Sequence, residues 1–100
     1  MINDRFYLIE LFDFYGKLLT EKQQTYFKAA YFNDCSLSEI ANLFSVSKNA
    51  IHDSLKTIIL ELNRYESVLK LKYKHDKMVE IIDSIDDNKL KKKILKIEDE

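Results

Sequence analysis

Ser36-Leu37-Ser38-Glu39-Ile40-Ala41-Asn42-Leu43-Phe44-Ser45-Val46-Ser47-Lys48-Asn49-Ala50-Ile51-His52-Asp53-Ser54-Leu55-Lys56 is the stretch whose reading decides the fold. Ser36 with Glu39 has the spacing of a capping box, in which the hydroxyl and the carboxylate each satisfy a free backbone N–H at a helix start. A short helix is therefore expected from Ser36 to near Phe44. A turn, Phe44-Ser45-Val46, follows, and Ser47 is placed to cap a second helix. Ile40 and Phe44 are read as the inward residues of the first helix, Ala41 as the small residue at the crossing, Val46 as the anchor of the turn, and Ile51 and Leu55 as inward from the second. That combination of chemistry and spacing describes a helix-turn-helix, here about residues 36–56. Ser45 stands where such turns favour glycine, because a left-handed backbone is cheap only without a Cβ.

The flanking sequence extends the helical pattern. Leu8, Phe12, Tyr15 and Leu19 recur at helical steps between Phe6 and Leu19, with Gly16 expected to let another helix come close. Thr20-Glu21-Lys22-Gln23 is a further capping box, opening a helix to about Phe32, and Asn33-Asp34-Cys35 reads as a turn. Downstream, the helix capped by Ser47 has no obvious stop before the Lys74 region. Along it Ile51, Leu55, Ile58, Leu62, Tyr65 and Leu69 are spaced four, three, four, three and four, a heptad seam that needs a partner. The seam has two uses open to it: packing inside its own chain, or pairing two copies as a homodimer, which the length of the helix favours. An apolar group follows at Met78, Ile81, Ile82 and Ile85, then a break at Asp86-Asp87-Asn88 and a last helix from Lys89 to about Ile97.

Composition agrees with an all-α protein. The 100 residues hold one glycine and no proline, so the usual residues of β-turns are missing. A hydrophobic share of 46 % with 33 % charged residues excludes both a disordered chain and a membrane protein. We expect a helix-turn-helix domain of about four helices over residues 1–74, with a charged helical extension, 75–100, of one or two short helices. The single Cys35 rules out an internal disulfide. With Asp4 where a signal peptide needs positive charge and no apolar run of membrane-spanning length, the expected location is the cytoplasm.

On the exposed face of the second motif helix, Ser47, Lys48, Asn49, His52, Asp53 and Lys56 form the candidate DNA-binding set. Asn49 suits an adenine edge, Lys48 and Lys56 suit guanine or phosphate, and Ser47 sits at a helix start where backbone N–H groups attract phosphate. Asp53 is repelled by phosphate unless it accepts from a cytosine amine or pairs with Lys56. Charge argues in the same cautionary direction: the chain carries net charge −1, and residues 36–64 hold three basic and three acidic side chains. Phosphate neutralisation, the main source of non-specific affinity, is little visible in the motif, and the lysines of 70–77 and 89–96 supply it only if they fold onto the same face. His52 and His75 lack partners at ligand spacing, and no paired carboxylates, glycine-rich phosphate loop or nucleophile–base pair occurs in usable context. No catalytic residue, metal or cofactor is expected, and the protein is read as a non-enzyme.

Three ordered blocks carry a resemblance: Leu11-Phe12-Asp13-Phe14-Tyr15-Gly16-Lys17-Leu18-Leu19-Thr20-Glu21-Lys22-Gln23, Ser36-Leu37-Ser38-Glu39-Ile40-Ala41, and Val46-Ser47-Lys48-Asn49-Ala50-Ile51. Over roughly residues 6–73 the chain resembles the YlxM family of small Gram-positive and mycoplasma proteins. The resemblance implies a fold similar to the promoter-reading C-terminal domain of bacterial sigma factors and a role as a DNA-binding regulator. It also implies a link to the signal recognition particle pathway, through gene neighbourhood, so a component of that particle, protein or RNA, is the alternative partner. Where the family commonly has Arg-Gln after the capping serine, this chain has Lys48-Asn49, and no base preference carries over.

Overall fold

In a computed structural model that describes residues 4–84 and 92–93, the chain forms five α-helices and, among the described residues, no strand. Helix α1 runs Arg5–Tyr15 and is capped by Asp4, whose carboxylate accepts from the Phe6 N–H at 2.9 Å. It stops at Tyr15, and Gly16–Leu18 form a single 3-10 turn instead of continuing the helix to Leu19. The role expected of Gly16 changes accordingly. Its backbone is ordinary right-handed (φ −56°), and a Cβ there would lie 3.0 Å from the ring of Phe12 in its own helix. Glycine makes room for a ring that stacks on Phe27 at 4.5 Å, not for a second helix.

Helix α2, Glu21–Tyr31, begins with the expected capping box: the Gln23 N–H donates to Thr20 Oγ1 at 3.1 Å, and the Thr20 N–H to Gln23 Oε1 at 3.0 Å. Helix α3, Leu37–Phe44, begins with the second, the Glu39 N–H donating to Ser36 Oγ at 3.1 Å and the Ser36 N–H to Glu39 Oε1 at 2.9 Å. Asp34 takes a left-handed conformation in the turn between them. Arg5 ties that turn to the start of α1, pairing with Asp34 and donating to the Tyr31 carbonyl.

Helix α4, Lys48–Leu69, is the axis of the domain and touches α1, α2 and α3. Its residues Ile51, Leu55, Ile58 and Leu62 are buried, together with Leu8 and Leu11 of α1, Phe27 of α2 and Ile40 of α3. Each such side chain is worth about 1.5–3 kcal/mol on leaving water. At its far end the Tyr15 hydroxyl donates to Glu66 Oε1 at 2.6 Å, and Tyr15 and Tyr65 lie 6.0 Å apart. Helix α4 ends at Leu69, short of the Lys74 region, because Lys70 turns left-handed (φ 53°) while its N–H still bonds the Glu66 carbonyl. Helix α5, Leu71–Asp83, follows.

The chain divides into two compact units, one ending at Lys70 and the other beginning at Leu71. In the second, two of the three lysines of α5 are engaged locally: Lys72 Nζ lies 2.6 Å from Asp76 Oδ2, and Lys77 Nζ 3.5 Å from Glu80 Oε2. Ile85, the break at residues 86–88 and most of the expected last helix lie outside the described residues; Lys92 and Lys93 are helical and exposed. Among the described residues no helix is long and apolar enough to cross a membrane.

Candidate nucleic-acid interface

The turn of the motif is set by backbone chemistry. Ser45 adopts the left-handed conformation (φ 55°, ψ 43°), and the Val46 N–H reaches back to the Ala41 carbonyl at 3.0 Å. The N–H groups of Ser45 and Val46 thus converge on one carbonyl, that of Ala41, while the reversal aims the chain into α4. Ser47 then caps α4, its hydroxyl accepting from the Ala50 N–H at 3.0 Å. Ile40 and Ala41 from one side and Ile51 and Leu55 from the other are buried, as the spacing predicts. Phe44 and Val46 are not: they are 39 % and 36 % exposed, because Phe44 lies edge-on to Tyr26 at 5.1 Å at the margin of the core. Leu43, beside them, is 69 % exposed, so the tip of the motif is apolar and open to water.

All six candidate residues, Ser47, Lys48, Asn49, His52, Asp53 and Lys56, are exposed. Lys48, His52 and Lys56 follow one another at four-residue steps, with Asn49 and Asp53 forming the adjacent row. The first turn of α4 holds no acidic residue, whereas α2 and α3 carry Glu21 and Glu39 there. Its free N–H groups and positive dipole end are therefore not neutralised from within the helix. Asp53 lies beside His52, with 3.6 Å between Oδ1 and Nδ1. The sequence left Asp53 either a cytosine amine or Lys56 to pair with; its neighbour here is the ring on the preceding residue. Both side chains are well exposed, so that pair contributes little.

The seam finds its partner inside the chain. Leu55, Ile58 and Leu62 are 8 %, 0 % and 0 % exposed, packed into the core; Tyr65 is half-buried and Leu69 exposed.

Sequence reasoning missed a concavity next to this face. Tyr31, the last residue of α2, and Leu37, the first of α3, lie with Leu55 and Ile59 and with His52, Lys56 and Leu60 of α4 around an open groove of about 490 Å³. Burial pushes the Tyr31 phenol above its ordinary value of 10.0, against the opposing charge of Arg5. No group of three or more His, Cys, Asp or Glu side chains that could hold a metal occurs among the described residues.

Comparison with known proteins places the whole motif in context. Residues 2–100 match the family described as "UPF0122: Putative helix-turn-helix protein, YlxM / p13 like". A UPF0122 protein of Ureaplasma urealyticum is 46 % identical over 92 residues, covering 92 % of this chain and 93 % of the relative. One from Malacoplasma penetrans is 48 % identical over 88 residues, covering 88 % and 82 %, and one from Mycoplasma pneumoniae 36 % identical over 96 residues, covering 96 % and 94 %. With the match running nearly end to end and the motif formed by α3, its turn and α4, the chain belongs to the UPF0122 family of YlxM / p13-like helix-turn-helix proteins.

Proposed function

We propose that this protein is a non-enzymatic, cytoplasmic DNA-binding regulator that presents the N-terminal turns of α4, from Lys48 to Lys56, to the major groove. The observation that carries the reading is the division of α4 itself: one side is fixed in the core by Ile51, Leu55 and Ile58, while Lys48, Asn49, His52, Asp53 and Lys56 face water on an open helix start. In this reading Asn49 contacts an adenine edge, Lys48 and Lys56 contact guanine or phosphate, Asp53 accepts from a cytosine amine, and Ser47 stations the helix end against the backbone. Two copies on neighbouring half-sites have Leu60, Val68 and Leu69 as the exposed apolar residues of α4 with which to meet. Replacing Lys48, Asn49 and Lys56 together by alanine is expected to abolish retention on duplex DNA with the helical circular dichroism unchanged. Unchanged retention at moderate salt removes the groove-reading account.

A second reading, contact with a protein or RNA component of the signal recognition particle, is favoured by the exposed Leu43, Phe44 and Val46 at the motif tip and by a net charge of −1. Apolar residues in that position suit a protein surface better than a phosphate backbone. Recovery of the particle's GTPase from lysate, equal with and without nuclease, supports this reading; recovery lost on nuclease treatment returns the case to nucleic acid.

A further inference from the structure

We propose that the groove between α4 and the α2–α3 junction is a binding site for a small amphipathic anion, an apolar body ending in a carboxylate or phosphate. The groove is open on one side, and its volume of about 490 Å³ is within the range of small-molecule sites. The lining is mainly apolar: Leu37 from α3, and Leu55, Ile59 and Leu60 from α4. Leu55 and Ile59 form one four-residue row, buried and half-buried; His52, Lys56 and Leu60 form the next, exposed row. The polar groups are the Lys56 ammonium, the His52 ring and the Tyr31 phenol, and no carboxylate lines the groove. The Tyr31 phenol, uncharged at neutral pH like any tyrosine, is a hydrogen-bond donor. An apolar wall with the Lys56 cation, two further polar side chains, His52 and Tyr31, and no acid among the lining residues matches an anion that carries an apolar body, and matches neither a cation nor a neutral sugar.

The groove and the DNA-reading face share Lys56 and His52, so an occupant of the first covers part of the second. The groove itself does not depend on the DNA reading: amide shifts report the ligand and retention on duplex reports the DNA, each without the other.

The test is a titration of the ¹⁵N-labelled full chain with sodium decanoate below its micelle concentration. Saturable shifts are expected at the amides of Leu37, Ile59 and Leu60. Lys56→Gln should weaken them about fivefold, the worth of one exposed charge. Leu60→Glu should abolish them, and because Leu60 is 51 % exposed that variant keeps the fold. Sedimentation with phosphatidylglycerol vesicles separates a free anion from a lipid surface, and the chain is expected to stay in the supernatant. Absence of saturable shifts, or equal binding by Leu60→Glu, overturns the proposal. So does vesicle binding without decanoate binding, or a wild-type dimer that Leu60→Glu dissociates while decanoate produces no shifts.

Discussion

The two sides of α4 obey different rules. On one, Ile51, Leu55, Ile58 and Leu62 recur at four, three and four residues and are at most 8 % exposed. On the other, Lys48, Asn49, His52, Asp53 and Lys56 are exposed, and the helix would form with almost any polar residues in their place. Folding free energy chooses the first set through burial and is nearly indifferent to the second. The identity of the second set is left free to be chosen by whatever the helix meets.

The contrast can be broken by substitution. Ile58→Ala, which empties a fully buried position, should cost about 2–5 kcal/mol in urea unfolding, whereas Lys56→Ala should stay within about 0.5 kcal/mol. Comparable losses from the two would remove the distinction. A smaller effect, of opposite sign, is expected at the hinge between α3 and α4. Ser45 carries the left-handed conformation at a cost glycine does not bear, so Ser45→Gly should stabilise by about 0.5–1 kcal/mol and raise the melting temperature. A lower melting temperature would mean that the serine makes a compensating contact.

The smallest effect concerns the cap of α3. The backbone N–H of Ser36, and then its side chain, hold the Glu39 carboxyl below its ordinary value of 4.5. A depressed folded-state value contributes stability that is fully present above 4.5 and is lost as pH falls through the lowered value. Glutamine keeps the acceptor without the charge. The acid-side fall in wild-type stability should therefore be slightly steeper than that of Glu39→Gln, and identical pH profiles would contradict the assignment. Ser47 is left out of the DNA-binding triple substitution for a related reason: losing that cap costs about 1 kcal/mol and would confuse folding with binding.

Features fixed by local chemistry were legible in the sequence. Thr20, Ser36 and Ser47 each cap a helix as their spacing to Gln23, Glu39 and the Lys48–Ile51 run predicts, and the left-handed turn falls on Ser45. Features set by what packs against what were not. Periodicity shows that Leu55, Ile58 and Leu62 are covered, but not whether by the same chain or by another. The stop at Lys70 has no glycine or proline to announce it. Gly16 looked like a helix-crossing residue because its neighbour in space, the Phe12 ring, is one turn away in its own helix. The groove needs Tyr31 and Leu37, from two different helices, brought beside α4, which no single-helix pattern encodes. The six residues of the candidate interface were named from helical spacing and side-chain chemistry, and all six are exposed.

A selection of random duplexes on the full chain at two salt concentrations tests the central claim most directly. With two lysines on the reading face, phosphate contacts are few and the salt dependence of binding should be shallow, a slope of about −2 in log K against log salt for each bound copy. A short sequence motif should be enriched at both concentrations. Retention that vanishes at the higher salt with no motif enriched at either would contradict base reading by α4.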